Sequence, residues 1–152
     1  MFDHLKNVMI VDDSPDFRAL FQLLLAQFDF DVISACDGLE AIQYLSKNQV
    51  DLIITDFRMP HVNGVELLNW CRGRKIYCPV IFTTAEGRLF SAEEIALGDC
   101  CATLLKKPID TKLLNAALEA ANRFEHHRDC LHSCLKVEFA KVVGERGVLL
   151  SH

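Results

Sequence analysis

The chain has 152 residues, a length that suits one domain with a buried core and a short extension. Sixteen basic residues against twenty-one acidic leave a formal charge of −5, which argues against nucleic-acid binding through a broad basic surface. No apolar run approaches the length of a membrane span, and Met1-Phe2-Asp3-His4-Leu5-Lys6 lacks the charged-then-apolar layout of a signal peptide. A cytoplasmic address is therefore expected. The seven cysteines are odd in number and scattered through apolar segments, a pattern that fits reduced thiols better than a disulfide framework.

Asn7 to Val11 is a short apolar run and the expected first strand, ending in Asp12-Asp13. Ser14-Pro15 supplies an N-cap residue followed by proline at the first helical position. Phe17, Leu20, Phe21, Leu24 and Phe28 then recur at helical spacing, which predicts a helix from Pro15 to about Phe28. Asp31 to Ala35 is the second strand, and Gly38 to Lys47 the second helix, with Leu39, Ile42 and Leu45 on one side. Leu52-Ile53-Ile54-Thr55 is a β-branched run buried on both faces, and it delivers Asp56 to its carboxyl end. The chain then turns through Met59-Pro60 to Gly64 and enters a helix over Val65–Cys71, with Val65 and Leu68 inward.

Pro79 to Thr83 is the fourth strand, followed by Thr84-Ala85-Glu86. Ser91-Ala92-Glu93-Glu94 is a capping box that opens a short helix. Ala102 to Lys106 is the fifth strand, ending in Lys107-Pro108, and Asp110 caps a last helix with Leu114, Ala117, Leu118 and Ala121 inward. Strands alternating with helices predict a doubly wound α/β fold with a five-stranded parallel sheet and helices on both faces.

In such a sheet the carboxyl ends of strands one, three, four and five gather Asp12, Asp13, Asp56, Thr84 and Lys107. Three carboxylates in one cleft repel one another unless a cation joins them, and hard oxygen ligands suit Mg²⁺. A carboxylate nucleophile, a metal and a lysine that serves as a point-charge phosphate partner are the parts of a phosphoryl-transfer site.

These residues carry a resemblance. The acidic pair Asp12-Asp13, Asp56 within Asp-Phe-Arg-Met-Pro-His-Val-Asn-Gly, Thr84 before Ala85 and Lys107 before Pro108 occur in order, and across residues 7–124 the chain resembles the receiver domain of two-component response regulators. The resemblance implies a flavodoxin-like fold of strand order 2-1-3-4-5, with residues 1–124 as the receiver and 125–152 as a helical extension or linker. It implies that Asp56 accepts a phosphoryl group from a histidine kinase or phosphotransfer protein. Asp13, Asp56 and the backbone carbonyl of Arg58 would hold Mg²⁺, with Asp12 assisting through water. Lys107 would pair with the phosphoryl group, and Thr84 would be the hydroxyl that moves toward it.

Two positions depart from the family pattern. Leu104 stands where receivers usually carry an aromatic ring that swings inward, and Cys100-Cys101 stands where Gly-Ala is usual. These departures bear on how a signal reaches the face formed by the fourth helix, fifth strand and fifth helix, and leave the phosphorylation chemistry intact. Arg58 and Glu86, two residues beyond Asp56 and Thr84, occupy positions that in the family border the path of attacking water. A pair between them would slow hydrolysis; two solvated surface charges are the alternative.

In the extension, His126, Cys130 and Cys134 share a helical face, with His127 and His132 close by, yet no second ligand cluster accompanies them, and thiols serving as small apolar groups explain them better than zinc. Leu131, Leu135, Phe139 and Val142 form an apolar stripe that packs on the domain or serves a homodimer or another protein partner. Trp70 and Cys100-Cys101 are expected in the core. Three functional alternatives stand beside the phosphoacceptor. An aspartyl-phosphate hydrolase would carry its nucleophile in an Asp-x-Asp motif after the first strand, whereas here the acids are adjacent and the isolated Asp follows strand three. The chain could also be the N-terminal piece of a multidomain regulator, or a degenerate receiver acting as a constitutive interaction module. No direct contact with nucleic acid or membrane is expected, and no turnover of an external substrate; the kinase and the downstream partner are not legible.

Overall fold

In the computed structural model, residues 2–84 and 102–123 are described, the side chains of 102–104 excepted. The elements follow in the order β1 (Asn7–Val11), α1 (Pro15–Leu25), β2 (Asp31–Ala35), α2 (Gly38–Leu45), β3 (Leu52–Asp56), α3 (Gly64–Gly73), β4 (Val80–Thr84), β5 (Ala102–Lys106) and α4 (Thr111–Asn122). All strand pairs are parallel and the sheet order is β2-β1-β3-β4-β5, the doubly wound order expected. The helix predicted from Ser91, Glu86, Cys100-Cys101, the side chain of Leu104 and the extension at 125–152 lie outside the described residues.

Because side chains alternate across a strand, the sheet has two apolar faces. Met9, Val11, Ile53, Val80 and Phe82 face α2 and α3, whereas Val8, Ile10, Leu52, Ile54, Ile81 and Leu105 face α1 and α4. Burying each large side chain from water contributes roughly 1.5–3 kcal/mol. Cys71 and Cys78 belong to the first face, and burial pushes their thiols up to about 12 and about 11, so they act there as small apolar groups. Among the described residues these two and Cys36 are free cysteines. Trp70 packs against the same core from its edge, half-buried, with the Arg74 guanidinium over its ring at 5.0 Å.

Helix boundaries are tighter than the apolar spacing suggests. α1 ends at Leu25, not Phe28: the Phe28 N–H turns back to the Leu25 carbonyl at 3.0 Å, and the Phe28 ring joins Phe2 and Phe30 at centroid distances of 5.3 and 5.4 Å. The inner line of α1 is Phe21 and Leu25, which leaves Leu20 41% exposed against expectation. α2 ends at Leu45, not Lys47, because the Tyr44 carbonyl is taken by the backbone N–H groups of Lys47 and Asn48 and by the Asn48 side chain. Its inner line is Gly38, Ala41 and Leu45, so Leu39 faces out at 48% exposure. Gly38 decides this rotation, since a Cβ there would meet the Val62 carbonyl oxygen at 2.5 Å. α3 is longer than predicted, Gly64–Gly73. It opens on a capping box in which the Glu66 N–H donates to Asn63 Oδ1 at 2.8 Å and the Asn63 N–H donates to Glu66 Oε1 at 3.0 Å.

Gly64 is where the α3 backbone crosses the end of β3. A Cβ there would stand 2.6 Å from the Asp56 carbonyl oxygen and 3.2 Å from the Phe57 Cα, both backbone atoms that cannot swing aside. Gly64→Ala is expected to destabilise the fold by about 1–3 kcal/mol. Thermal melting followed by circular dichroism would show a midpoint several degrees lower.

Candidate functional site

The parallel register carries the site. Val11 pairs with Thr55, Asp56 with Thr83, and Thr84 with Lys106, so the ends of β1, β3, β4 and β5 stop at one level. The residues that follow them are stitched to the neighbouring strands. The Asp12 N–H donates to the Ala35 carbonyl at 3.2 Å, that of Phe57 to Thr83 at 2.8 Å, and that of Lys107 to Thr84 at 2.7 Å. Asp12, Asp56, Thr84 and Lys107 therefore stand side by side because their strands do.

Asp12 is buried, and both of its carboxylate oxygens are occupied: Oδ1 accepts from the Ser14 N–H at 2.9 Å and Oδ2 from Lys107 Nζ at 3.0 Å. Lys107 also reaches Asp56 Oδ2 at 3.5 Å. Asp13 is exposed at the rim. One carboxylate oxygen from each of Asp12, Asp13 and Asp56 lies within 4.8 Å of the others. Four of the five residues expected in the cleft thus meet around Lys107 or its acids. The fifth, Thr84, is buried at the end of β4, and among the described residues its Oγ1 has no hydrogen-bond partner, an unusual state for a buried hydroxyl.

The Asp56 side chain is 13% exposed. Its pKa is raised above the ordinary carboxylate value, first by burial and then by the charge of Asp12; Lys107 and the Arg58 backbone hydrogen bond oppose this but do not cancel it. An acid cluster whose one ammonium under-compensates it is chemically suited to a further small, hard cation, and every donor in the set is oxygen.

Two contributors to the site escaped the sequence reading. The Arg18 guanidinium donates from Nη1 to the Asp12 carbonyl at 2.6 Å, and the Phe17 ring lies 4.0 Å from Lys107 Nζ. The signal was available in the cap: Ser14 accepts from the Phe17 N–H at 3.2 Å, so the first turn of α1 must fold its next residues back over the end of β1.

Residues 8–119 match the family model described as response regulator receiver domain. The chain belongs to that family. It is 37% identical over 118 residues to a chemotaxis protein CheY homolog of Campylobacter jejuni, covering 74% of this chain and 89% of that protein. It is 33% identical over 121 residues to the response regulator protein PilR of Pseudomonas aeruginosa, covering 80% of this chain but only 27% of PilR. In structure it is similar to the chemotaxis response regulator CheY4 of Vibrio cholerae, with a TM-score of 0.67, 30% identity, and coverage of 77% of this chain and 98% of that one. Receivers are signalling modules rather than turnover enzymes on external substrates. Among the described residues no helix is long and apolar enough to cross a membrane.

The raised pKa of Asp56 has a consequence for the receiver's stability. Between the ordinary value of 3.8 and the raised one, the folded state binds more protons than the unfolded state. Stability therefore falls as pH rises through that window, and the full cost is present at neutral pH. Asp56→Asn, which removes the charge at nearly constant shape, is expected to melt at a higher temperature than the parent at pH 7.5. Melting curves recorded down the pH scale would show the gap closing once the pH is below 3.8.

Proposed function

We propose that this receiver takes a phosphoryl group onto Asp56 from the phosphohistidine of a sensor histidine kinase or phosphotransfer protein, and signals by a shift in conformation that a downstream protein reads. The observation that carries this reading is the arrangement of Lys107 between Asp12 and Asp56, at 3.0 and 3.5 Å, together with the buried Thr84 hydroxyl at the end of β4, which has no hydrogen-bond partner among the described residues.

Each residue has a distinct part. An Asp56 carboxylate oxygen attacks phosphorus; the O–P bond forms as the N–P bond to the donor histidine breaks, and the imidazole nitrogen keeps the electron pair. Lys107, already at the Asp56 oxygen, stays paired with the phosphoryl group added there, as an ammonium does with a phosphate. Thr84 Oγ1 donates a hydrogen bond to a phosphoryl oxygen, and the turn of its side chain toward that oxygen marks the phosphorylated state. Phosphorylation in this scheme biases two pre-existing conformations. Mg²⁺ would be held by Asp13, Asp56 and the Arg58 backbone carbonyl, with Asp12 acting through water, and when bound it supplies the positive charge that lets an anionic phosphoryl group approach.

The same reading assigns residues 1–124 to the receiver unit, with 125–152 as a helical extension or linker, and a cytoplasmic address. PilR is several times longer than the matched segment, which supports the alternative that this segment serves a larger regulator. An aspartyl-phosphate hydrolase is disfavoured because the acid beside Lys107 after β1 is buried and held on both oxygens, a poor state for a nucleophile.

Incubation with acetyl phosphate and Mg²⁺ tests the proposal by intact mass. The parent protein is expected to gain one phosphoryl group, Asp56→Asn none, and the parent with the metal chelated none. Lys107→Met is expected to react at least tenfold more slowly, the loss of one charge-assisted contact worth roughly 1.5–3 kcal/mol. Gain of mass in Asp56→Asn equal to that of the parent would move the acceptor elsewhere.

A further inference from the structure

Phe17 lies in the first turn of α1, and its ring centroid is 4.0 Å from Lys107 Nζ. The ring packs in a T-shaped pair with Phe21, at 5.1 Å between centroids and an interplanar angle of 69°, and Phe21 is buried. The ammonium thus has three neighbours that attract it: Asp12 Oδ2 at 3.0 Å, Asp56 Oδ2 at 3.5 Å, and an aromatic ring with its centroid at 4.0 Å. A lysine ends in a compact charge on a flexible four-carbon stem, so two carboxylates alone leave it free to slide between them or out to water. The ring supplies an attraction of its own, because its face is the negative pole of the aromatic quadrupole.

We propose that Phe17 is a positioning residue for Lys107, holding the ammonium by a cation–π contact at the Asp56 oxygen where the phosphoryl group arrives. The proposal rests on the phosphoacceptor reading of Asp56. Phe17 itself touches neither the phosphoryl group nor Asp56 in this scheme; it acts through the lysine. An aliphatic residue of similar bulk would fill the volume and lose the effect, which separates the proposal from ordinary core packing.

The full chain serves for the test, as Phe17→Tyr, as Phe17→Leu, and with one to three fluorines on the Phe17 ring. Fluorination drains the quadrupole while nearly preserving shape. The first readout needs no phosphodonor: the Lys107 ε-methylene protons, observed by NMR, should be shifted upfield by ring current in the parent and Phe17→Tyr, and return to ordinary positions in Phe17→Leu. The second is the initial rate of phosphorylation by acetyl phosphate with Mg²⁺. It should fall stepwise with each fluorine, by roughly two- to five-fold in total, and be retained in Phe17→Tyr. A rate flat across the fluorine series overturns the proposal, as does a Lys107 shift that is the same in the parent and Phe17→Leu. A parent that accepts no phosphoryl group removes the Asp56 reading, and the ring-current comparison then decides alone whether Phe17 holds Lys107.

Discussion

Among the described residues the ammonium of Lys107 is the counter-charge paired with the acids of a three-carboxylate cleft, and the architecture of the cleft follows from keeping it there. Asp12 could not be buried as an anion without a partner, because desolvation of an unpaired carboxylate costs several kcal/mol. Lys107 can supply that partner only if β5 ends level with β1, from which β3 and β4 separate it in the sheet. The N–H of Lys107 bonded to the Thr84 carbonyl at 2.7 Å fixes that level. The compensation is incomplete by construction: the attraction Lys107 exerts on Asp56 is outweighed by burial and the neighbouring acid. A cleft left in this state is tense toward cations and receptive to a group that brings hydrogen-bond acceptors to Thr84 and Lys107.

Much of this was legible in the sequence because it rests on chain order. Asn7–Val11, Asp31–Ala35 and Ala102–Lys106 are strands with the bounds their apolar runs suggest, and the expected caps at Ser14 and Asp110 engage the backbone of the following turn. In a parallel sheet, naming the residues at the carboxyl ends of β1, β3, β4 and β5 is enough to name the cleft. What the sequence could not convey is rotation. Leu20 and Leu39 satisfy a helical period and still face outward, because the roll of α1 is decided by the Phe21–Leu25 line and that of α2 by the contact of Gly38 with Val62. The same blindness hid Phe17, since a period states which residues share a face but not what stands opposite that face in three dimensions.

The likeness to CheY homologs spans nearly the whole of those proteins, whereas the likeness to PilR covers its receiver-sized portion only. The shared element is therefore the module and not any particular output. The fold supports this separation of parts. The charged cleft stands at one end of the sheet, while the aromatic cluster of Phe2, Phe28 and Phe30 and the hydrogen bond from the His4 N–H to Asn122 Oδ1 close the other. Chemistry at the first end can be kept constant while surfaces elsewhere change.

The stitching at the end of β4 has a mechanical corollary. That strand is anchored on one side by the Phe57 N–H at the Thr83 carbonyl and on the other by the Lys107 N–H at the Thr84 carbonyl, bonds of 2.8 and 2.7 Å. A main chain pinned from both flanks cannot translate without breaking its ladder. The compliance left at this corner is torsional, a turn of the Thr84 hydroxyl about χ1 among three staggered wells. The cleft is in this sense a detent: discrete side-chain positions on a rigid frame, so that a local chemical event is answered by a step and not by a gradual deformation.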